Sequence, residues 1–370
     1  MTEPVATDSV DTPSSEPSVF PCGQCGADLA FAPGTSSLRC GFCGHLNEIE
    51  RGLEPIEEID FRQTVAALGA AAPHVDVTSC HCTTCGVTLD RPPDLASFSC
   101  PYCGSNIVVT AQTTRLITPQ AVLPFRVERR AAEAAFHKWI SGLWFAPGKL
   151  KRYARTERRL DGVYVPYWTF DSDTSTDYTG LRGDYYYVTR TVRVNGKTQT
   201  RRERRIRWSS ARGHVKDRFD DVLVLASTSL PKAYADELEP WPLDGLAPYR
   251  DDYLAGFRAE RYHVELDAGF VEGRAIMEQG IRRTVCRDIG GDVQRINELR
   301  IHHDTITFKH ILLPMWISTY RYRDRVFRIL VNACTGEVQG ERPWSAWKIA
   351  GAVLAGLAVA GIIALIAASR

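Results

Sequence analysis

The longest apolar stretch of the chain lies at its C-terminal end, where polar positions disappear altogether. Residues 349–368 are all Ala, Gly, Val, Leu or Ile. At 1.5 Å per residue, a helix of this length crosses the ~30 Å hydrocarbon core of a bilayer. A buried core helix is usually shorter and has a polar side, whereas this stretch is apolar all round. We therefore predict a single-pass transmembrane anchor over residues 344–370.

Residues at the edges of this span predict its orientation. Trp344, Trp347 and Lys348 stand on the body side, where interfacial anchors are expected. Arg342 and Lys348 lie on that side against Arg370 beyond the span, which favours a body facing the cytoplasm. Small residues that would allow self-association through the helix recur every four positions: Ala352, Gly356, Ala360, Ala364 and Ala368.

The opposite end of the chain is polar. Residues 1–20 are rich in Ser, Thr, Pro and acids and contain no basic residue, so we predict a disordered acidic tail. This stretch lacks the basic start and apolar core of a signal peptide, which also favours a cytoplasmic body.

The length of 370 residues suggests two to four folded units. A net charge of +1 excludes a uniformly basic nucleic-acid binder.

Eight cysteines form two frames of identical spacing, Cys-x2-Cys-x14-Cys-x2-Cys, and a glycine follows each pair. The first frame is Cys22, Cys25, Cys40 and Cys43, and the second is Cys82, Cys85, Cys100 and Cys103. Two residues between thiolates let one tight turn present both sulfurs to a tetrahedral ion. The glycines at 26, 44, 86 and 104 would take the positive φ that closes such a turn. We therefore predict two zinc ribbons, at residues 21–46 and 79–110, each with one structural zinc ion.

Cysteines at this spacing also have other uses in proteins. Disulfides are disfavoured in a reducing compartment. The segment Cys100-Pro101-Tyr102-Cys103 resembles a glutaredoxin active site, but a strand-like run follows it where a helix would be needed. An iron–sulfur cluster uses the same ligands, so the sequence leaves this interpretation as an alternative to zinc. His45, His81 and Cys80 lie near the frames and are interpreted as bystanders, because each frame already supplies four ligands.

Between the ribbons, residues 47–78 contain seven acids and are predicted to form an acidic linker with a short helix at 61–71. Residues 111–343 alternate helical and strand-like patterns. Helices are predicted at 131–145 and 266–287, and strands at about 163–170, 293–301, 305–321 and 325–333. The polar cluster His302-His303-Asp304 is interpreted as a strand end. This order predicts an α+β body with a largely antiparallel sheet.

The clearest hairpin is residues 185–208, which we call the basic arm. Asn195-Gly196 predicts a two-residue turn that places Val194 opposite Lys197 and Tyr187 opposite Arg204. Neither face is apolar on both strands, so the arm should project into solvent. It is predicted either to be a solvated hairpin or to bind an anionic surface, lipid or nucleic acid, through Arg190, Arg193, Lys197, Arg201, Arg202, Arg204 and Arg205.

These features together resemble a group of bacterial membrane proteins described as transcription-factor-IIB-type zinc-ribbon proteins of unknown function. Besides the ribbons and the arm, the stretches at residues 288–296, 308–314 and 331–343 carry the resemblance. It implies a location at the bacterial cell membrane and two zinc sites, and it implies no activity. Some members carry the name of the primosomal replication-restart helicase, but the phosphate loop and motor of a helicase are missing here.

We therefore expect a non-enzymatic binding or scaffolding protein at the cytoplasmic face of the membrane. The alternative is a nucleic-acid-associated membrane protein that uses the ribbons and the basic arm. Each ribbon is neutral or slightly acidic, because the first contains Arg39 and Asp28, and the second contains Arg91, Asp90 and Asp94. Neutral ribbons bind phosphates poorly, so protein partners are preferred for them.

Overall fold

The computed structural model describes residues 20–49, 55–68, 75–90, 97–108, 112–147, 160–194, 197–322, 325–342 and 345–368. The predicted tail, apart from residue 20, lies outside the described residues. So do parts of the predicted linker and the turn residues of the basic arm. The chain is α+β, with mostly antiparallel sheets, two four-cysteine groups and one apolar C-terminal helix.

The N-terminal third consists of short strands. The first ribbon is a three-stranded antiparallel sheet of β1 (Leu29–Phe31), β2 (Ser37–Cys40) and β3 (Leu46–Glu48). β4 (Ile59–Asp60) and helix α1 (Phe61–Leu68) follow, so the predicted short helix is present but ends earlier. The second ribbon contains β5 (Val75–His81), β6 (Thr88–Asp90), β7 (Ser97–Ser99), β8 (Asn106–Val108) and β9 (Gln112–Leu116).

The body is built on a nine-stranded sheet with helices packed against it. Its elements are β10 (Ala121–Val122), α2 (Arg129–Gly142), β11 (Asp161–Val194), β12 (Lys197–Leu225), α3 (Lys232–Asp236), β13 (Ala247–Pro248), β14 (Arg258–Ala259), α4 (Leu266–Ile289), β15 (Val293–Tyr322), β16 (Arg325–Asn332) and β17 (Val338–Gly340). Short 3-10 helices lie at Leu243–Gly245 and Asp251–Leu254. The chain ends in α5 (Ala346–Ala368). β4 of the predicted linker also belongs to this sheet, because it pairs with β15.

Three long strands dominate the sheet, in the order β12-β11-β15. β11 pairs with β15 from Asp161–Ile317 to Gly183–Val293, and with β12 from Tyr167–Leu225 to Val194–Lys197. Helix α4 covers these strands with apolar side chains at helical spacing, so the long strands and the helix share a core.

The separate strands predicted at 293–301 and 305–321 are wrong, since β15 is continuous. His302–Asp304 therefore lies inside a strand and not at its end. A register shift against β11 at Asp173–Thr174 accommodates the polar cluster. As expected for neighbours on a strand, the two imidazoles face opposite sides: His302 is exposed, and His303 lies 3.0 Å from the Ser172 hydroxyl.

Pro166 and Pro314 lie in the adjacent strands β11 and β15, each next to the end of one hydrogen-bonded ladder. Pro166 precedes the first β11–β12 pair, and Pro314 precedes the first β15–β16 pair. The carbonyl of Pro166 accepts a hydrogen bond from the Ala226 N–H (3.0 Å), and that of Pro314 accepts one from Ala333 (3.1 Å). Proline lacks an N–H donor, so it is tolerated where a ladder stops.

The basic arm is the outer end of a much longer hairpin. Its predicted register is confirmed, with Val194 opposite Lys197 and Tyr187 opposite Arg204. The predicted limits at 185 and 208 enclose only the part of this hairpin that lies beyond Gly183, where β11 stops pairing with β15. Inside that point, β11 alternates exposed and buried side chains, and the buried ones include Ser172, Thr174, Thr176 and Tyr178. Among the described residues, the arm therefore continues outward as two strands alone.

Candidate metal centres and the basic arm

Four tight turns present the eight cysteines. Gly26, Gly44, Gly86 and Gly104 have φ values of 73°, 76°, 81° and 72°. Each glycine N–H donates to the carbonyl of the first cysteine of its pair, as from Gly26 to Cys22 at 2.8 Å. A residue with a Cβ is strained at these φ values, which explains why glycine follows each pair. The predicted turn geometry is confirmed.

The sulfur atoms converge into two compact groups. Sγ–Sγ distances are 3.7 Å for Cys22–Cys43 and 3.6 Å for Cys25–Cys40. They are 3.7 Å for Cys82–Cys103 and 3.6 Å for Cys85–Cys100. Within each group, all four sulfurs lie within 4.8 Å of one another.

These distances match a single tetrahedral ion. Thiolates placed ~2.3 Å from a central metal are separated by about 3.8 Å. A disulfide needs a separation of ~2.05 Å, so the pairs are not bridged. In an iron–sulfur cluster the four thiolates are divided among two or four iron atoms, so some thiolate pairs lie further apart than around one ion. The four-thiolate donor set and its spacing therefore fit one metal ion per group.

Backbone N–H groups favour the thiolate form at several cysteines. The N–H of Gln24 donates to Cys22 Sγ at 3.4 Å, and that of Cys43 donates to Cys40 Sγ at 3.5 Å. Hydrogen bonds from the N–H groups of Cys43 and Phe42 lower the pKa of Cys40 to about 6. The N–H of Gln24 is the main cause of the lowered pKa of Cys22. Deprotonated cysteine is the form that binds a metal.

The predicted bystanders lie outside both four-cysteine groups. Cys80 is completely buried in the core of the second ribbon. The His81 Nδ1 atom lies 3.3 Å from the Thr88 hydroxyl.

The second centre is built into the body. Tyr102, between Cys100 and Cys103, is fully buried, and its hydroxyl donates to Glu260 Oε2 at 2.5 Å. The carbonyl of Tyr102 accepts a hydrogen bond from Arg328 Nε at 3.1 Å. No sequence pattern indicated these contacts, because the partners are 158 and 226 residues away from Tyr102 in the chain.

The first centre is more exposed at its sulfurs but is also attached to the body. Cys25 and Cys43 are exposed, whereas Cys22 and Cys40 are buried. The ribbon strand β1 is hydrogen-bonded to the body, since the Phe31 N–H donates to the Ala255 carbonyl at 2.9 Å. The Phe31 ring also packs against Tyr253, with ring centroids 5.4 Å apart. Both ribbons therefore share apolar cores with the body.

The carboxylate below the second centre makes a stability test possible. Glu260 is buried and accepts hydrogen bonds from Tyr102 and from the Ser227 hydroxyl, at 2.5 Å each. Burial raises the pKa of Glu260 to about 7, although both hydrogen bonds act to lower it. The ionised carboxylate therefore depends on these donors more strongly than the neutral acid does.

We expect Tyr102→Phe to lower the free energy of unfolding by about 1–3 kcal/mol, because it removes a donor from a buried acceptor. The loss should be larger at pH 8 than at pH 6, since Glu260 is ionised above its folded pKa of about 7. Denaturant unfolding of the metal-loaded chain at both pH values measures this difference. Tyr187→Phe, at an exposed position of the arm, is the control. Equal stability of Tyr102→Phe and the unsubstituted chain at pH 8 would contradict the expectation.

Three acids from different parts of the chain surround the ammonium group of Lys309. Lys309 Nζ lies 2.8 Å from Asp221 Oδ1 and 3.4 Å from both Asp171 Oδ2 and Glu58 Oε1. Burial alone would lower the pKa of Lys309, but these carboxylates raise it. Glu58 comes from the predicted acidic linker, so that segment is held to the body by charge as well as by β4. We interpret this group as a structural ion-pair network.

The basic arm presents arginines interleaved with tyrosines. Arg190, Arg201, Arg202, Arg204 and Arg205 are all on exposed positions of the two strands. The side chains of Arg193 and Lys197 lie outside the described residues. Guanidinium groups stack on rings across the hairpin, with Arg202 4.9 Å from the Tyr187 centroid and Arg204 4.3 Å from that of Tyr185. The arm is thus a cationic hairpin in which two of the arginine side chains are held against tyrosine rings.

The C-terminal helix is long and apolar enough to cross a membrane. Its span Ala346–Ala367 contains an 18-residue window with a mean hydropathy of 2.6, and none of that window is buried against the rest of the protein. A core helix would be covered by other elements. One helix could therefore anchor this chain in a membrane.

A comparison with known proteins finds one relative along nearly the whole chain. The "Uncharacterized protein YdjG" of Bacillus subtilis (strain 168) is 25% identical over 355 residues, which cover 94% of this chain and 96% of that protein. No protein-family model matches the sequence. No solved structure matches it either. The chain is thus similar in extent and order to an uncharacterised bacterial protein, whose name adds no activity to the two four-thiolate centres and the apolar helix.

Proposed function

We propose that this chain is a membrane-anchored zinc protein that acts by binding other molecules and not by catalysis. The observation that carries this proposal is the closed nature of both metal centres. Four cysteine ligands occupy all four coordination positions of a tetrahedral ion and leave none for water or substrate. Both centres are also packed into cores shared with the body, as expected for metals that stabilise a fold.

Zinc is the ion that best fits such sites. Four thiolates in a tetrahedron are typical of zinc, whereas oxygen ligands would favour magnesium or calcium. Iron can also occupy a single four-thiolate site, so metal analysis of the purified chain decides between the two. We propose two structural zinc ions per chain, in a bacterial protein of the zinc-ribbon type.

A cytoplasmic body fits the same chemistry. Thiolate centres persist in a reducing compartment, and unpaired cysteines outside it tend to form disulfides. Arg342 and Lys348, on the body side of α5, add the charge bias of a cytoplasmic flank. We therefore propose a single-pass protein at the bacterial cell membrane with its body inside the cell.

The basic arm is the proposed contact element for an anionic partner. Its position restricts how it can work. Leu160, before β11, shares a core cluster with Leu143 and Ala146, and the Ala146 carbonyl accepts a hydrogen bond from Lys348 of α5. The 34 residues of β11 then extend up to about 110 Å from there to the tip of the arm. An arm at this end touches the anchoring bilayer only if the long strands lie along its surface.

We expect the triple substitution of Arg201, Arg202 and Arg204 by Ser to weaken binding to anionic vesicles by roughly 10- to 100-fold. Each basic residue near an anionic surface contributes at most about 1 kcal/mol, so three of them account for this range. The measurement is co-sedimentation of a chain ending at Arg342 with vesicles containing phosphatidylglycerol, at low salt.

A matched control is available on α4. Substitution of Arg282, Arg283 and Arg287 by Ser removes the same charge from another exposed surface and should change binding less than about 3-fold. An equal loss in both variants would mean that net charge alone drives binding. Unchanged binding of the arm variant would leave the arm as a solvated hairpin.

Nucleic acid is the second candidate partner, because its phosphates would meet the same arginines. The Arg-over-Tyr pairs of the arm favour this reading, since stacked guanidinium and aromatic groups also contact bases. Duplex and single-stranded DNA, titrated against the same two triple variants, separate the candidates. Tighter binding of DNA than of vesicles, lost in the arm variant alone, would support the nucleic-acid function.

A further inference from the structure

A single large apolar side chain projects from the loop that follows α2. The indole of Trp144 is 78% exposed, whereas its neighbours Leu143 and Ala146 are buried in the core. The loop at residues 143–147 is thus attached to the body through Leu143 and Ala146, yet it presents its largest side chain to the outside. A single exposed apolar residue is no evidence of a binding site by itself, so the position of Trp144 relative to α5 decides what it contacts.

The same loop is bound to the first turn of α5. The Ser345 N–H donates to the Phe145 carbonyl at 2.9 Å. The ammonium group of Lys348 donates to the carbonyls of Trp144 at 3.0 Å and Ala146 at 2.8 Å. Three hydrogen bonds therefore join this loop to the start of the C-terminal helix, across about 200 residues of sequence.

These contacts fix the level of Trp144 along the helix axis. The loop backbone lies beside Ser345, and Trp347 follows two residues later, about 3 Å further along a helix. Trp347 is also exposed, at 89%. The 22-residue span of α5 is about 33 Å long, close to the ~30 Å hydrocarbon core, so its first turn lies at the membrane interface.

We propose that the loop at residues 143–147 is a second membrane contact, with Trp144 inserted into the lipid headgroup region beside Trp347. This inference rests on the proposed function, since it requires α5 to span the bilayer. Tryptophan prefers this region because its ring is apolar and its N–H is polar. The bilayer is the occupant that the geometry supports, because it necessarily surrounds the start of α5 to which the loop is bound.

Charge near the loop fits the same partner. Residues 148–159, which follow the loop in the sequence, contain six Lys or Arg and one Glu. Clusters of this kind next to a membrane span favour anionic lipid headgroups.

The loop contact would hold the body at two points, by α5 and by a loop attached to the core. Two points of attachment restrict how the body can tilt on the membrane.

The test places the photoreactive residue benzoylphenylalanine at position 144, 347 or 271 of the full chain. Each protein is reconstituted in phosphatidylcholine nanodiscs and irradiated, and lipid adducts are counted by mass spectrometry. Position 347 reports insertion of α5, and position 271, where Val271 is exposed on α4, reports background. We expect lipid adducts at 144 in a yield within about 3-fold of that at 347, and at least about 10-fold above that at 271. These margins allow for differences in orientation at an aromatic belt.

Three other results would overturn the inference in distinguishable ways. Adducts at 347 with only background at 144 would leave the anchor intact and place the loop away from lipid. Crosslinks from 144 to a second protein chain, in place of lipid, would assign the loop to a protein contact. Background at both 144 and 347 would overturn the membrane anchor itself and, with it, the second contact.

Discussion

Cys100→Ser is expected to remove one metal ion per chain and to abolish folding of the second ribbon and the body around it. Cys100 is buried at 2% exposure in a core that also contains Leu123, Val163 and Leu313 of the body. Binding of zinc to comparable small sites contributes roughly 10–16 kcal/mol, which is as large as the whole stability of a typical domain. Loss of that contribution cannot be absorbed by the rest of the core.

Metal analysis and thermal unfolding of the purified chain measure this effect. The unsubstituted protein should contain close to two ions, and Cys100→Ser one or fewer. Cys25→Ser should also lose one ion but should destabilise the body less, because Cys25 is exposed. Cys286→Ser is the matched control, since Cys286 belongs to neither four-cysteine group and should retain both ions. The metal assignment would be contradicted if Cys100→Ser retained two ions. It would also be contradicted if all eight cysteines of the two groups reacted with a thiol reagent in the unsubstituted protein.

Removal of residues 343–370 is expected to transfer the protein from the membrane fraction to the soluble fraction almost completely. The removed helix contains an 18-residue window with a mean hydropathy of 2.6, and none of that window is buried against the body. A single interfacial tryptophan and an arm of arginines bind membranes reversibly, whereas a spanning helix inserts stably. Fractionation at high salt, which weakens the charge contacts, gives the cleanest comparison.

Two controls accompany this truncation. Leu357→Arg with Ile362→Arg keeps the chain length and places two charges near the centre of the span, so it should release the protein in the same way. In spheroplasts, an external protease should leave the body of the full-length chain intact if the body is cytoplasmic. A truncated protein that stays in the membrane at high salt would overturn α5 as the anchor.

The two ends of β11 impose a relation between these results. The start of β11 belongs to the region that holds α5, and its other end carries the basic arm. If both the loop at residues 143–147 and the arm contact one bilayer, the long strands must lie roughly parallel to it. If only the loop contacts it, the arm points to a partner some distance from the membrane surface. The crosslinking and vesicle experiments together distinguish these arrangements.

Local spacing in the sequence was sufficient for the features that depend on local geometry. Two residues between cysteines, followed by glycine, specify a turn whose shape hardly depends on the rest of the protein, and both four-sulfur groups form as predicted. The turn length of the basic arm specifies its register for the same reason. Length and composition alone specified the C-terminal helix.

Tertiary structure decided the features that depend on distant residues. The continuous β15 exists because β11 offers it an unbroken partner, which outweighs the polar cluster at His302–Asp304. The contact of Tyr102 with Glu260, the network around Lys309 and the position of Trp144 beside α5 each join residues more than 100 positions apart. Periodicity and spacing describe only neighbours along the chain. Which surfaces meet is decided by packing and by the pairing of buried polar groups, and these are defined only once the chain has folded.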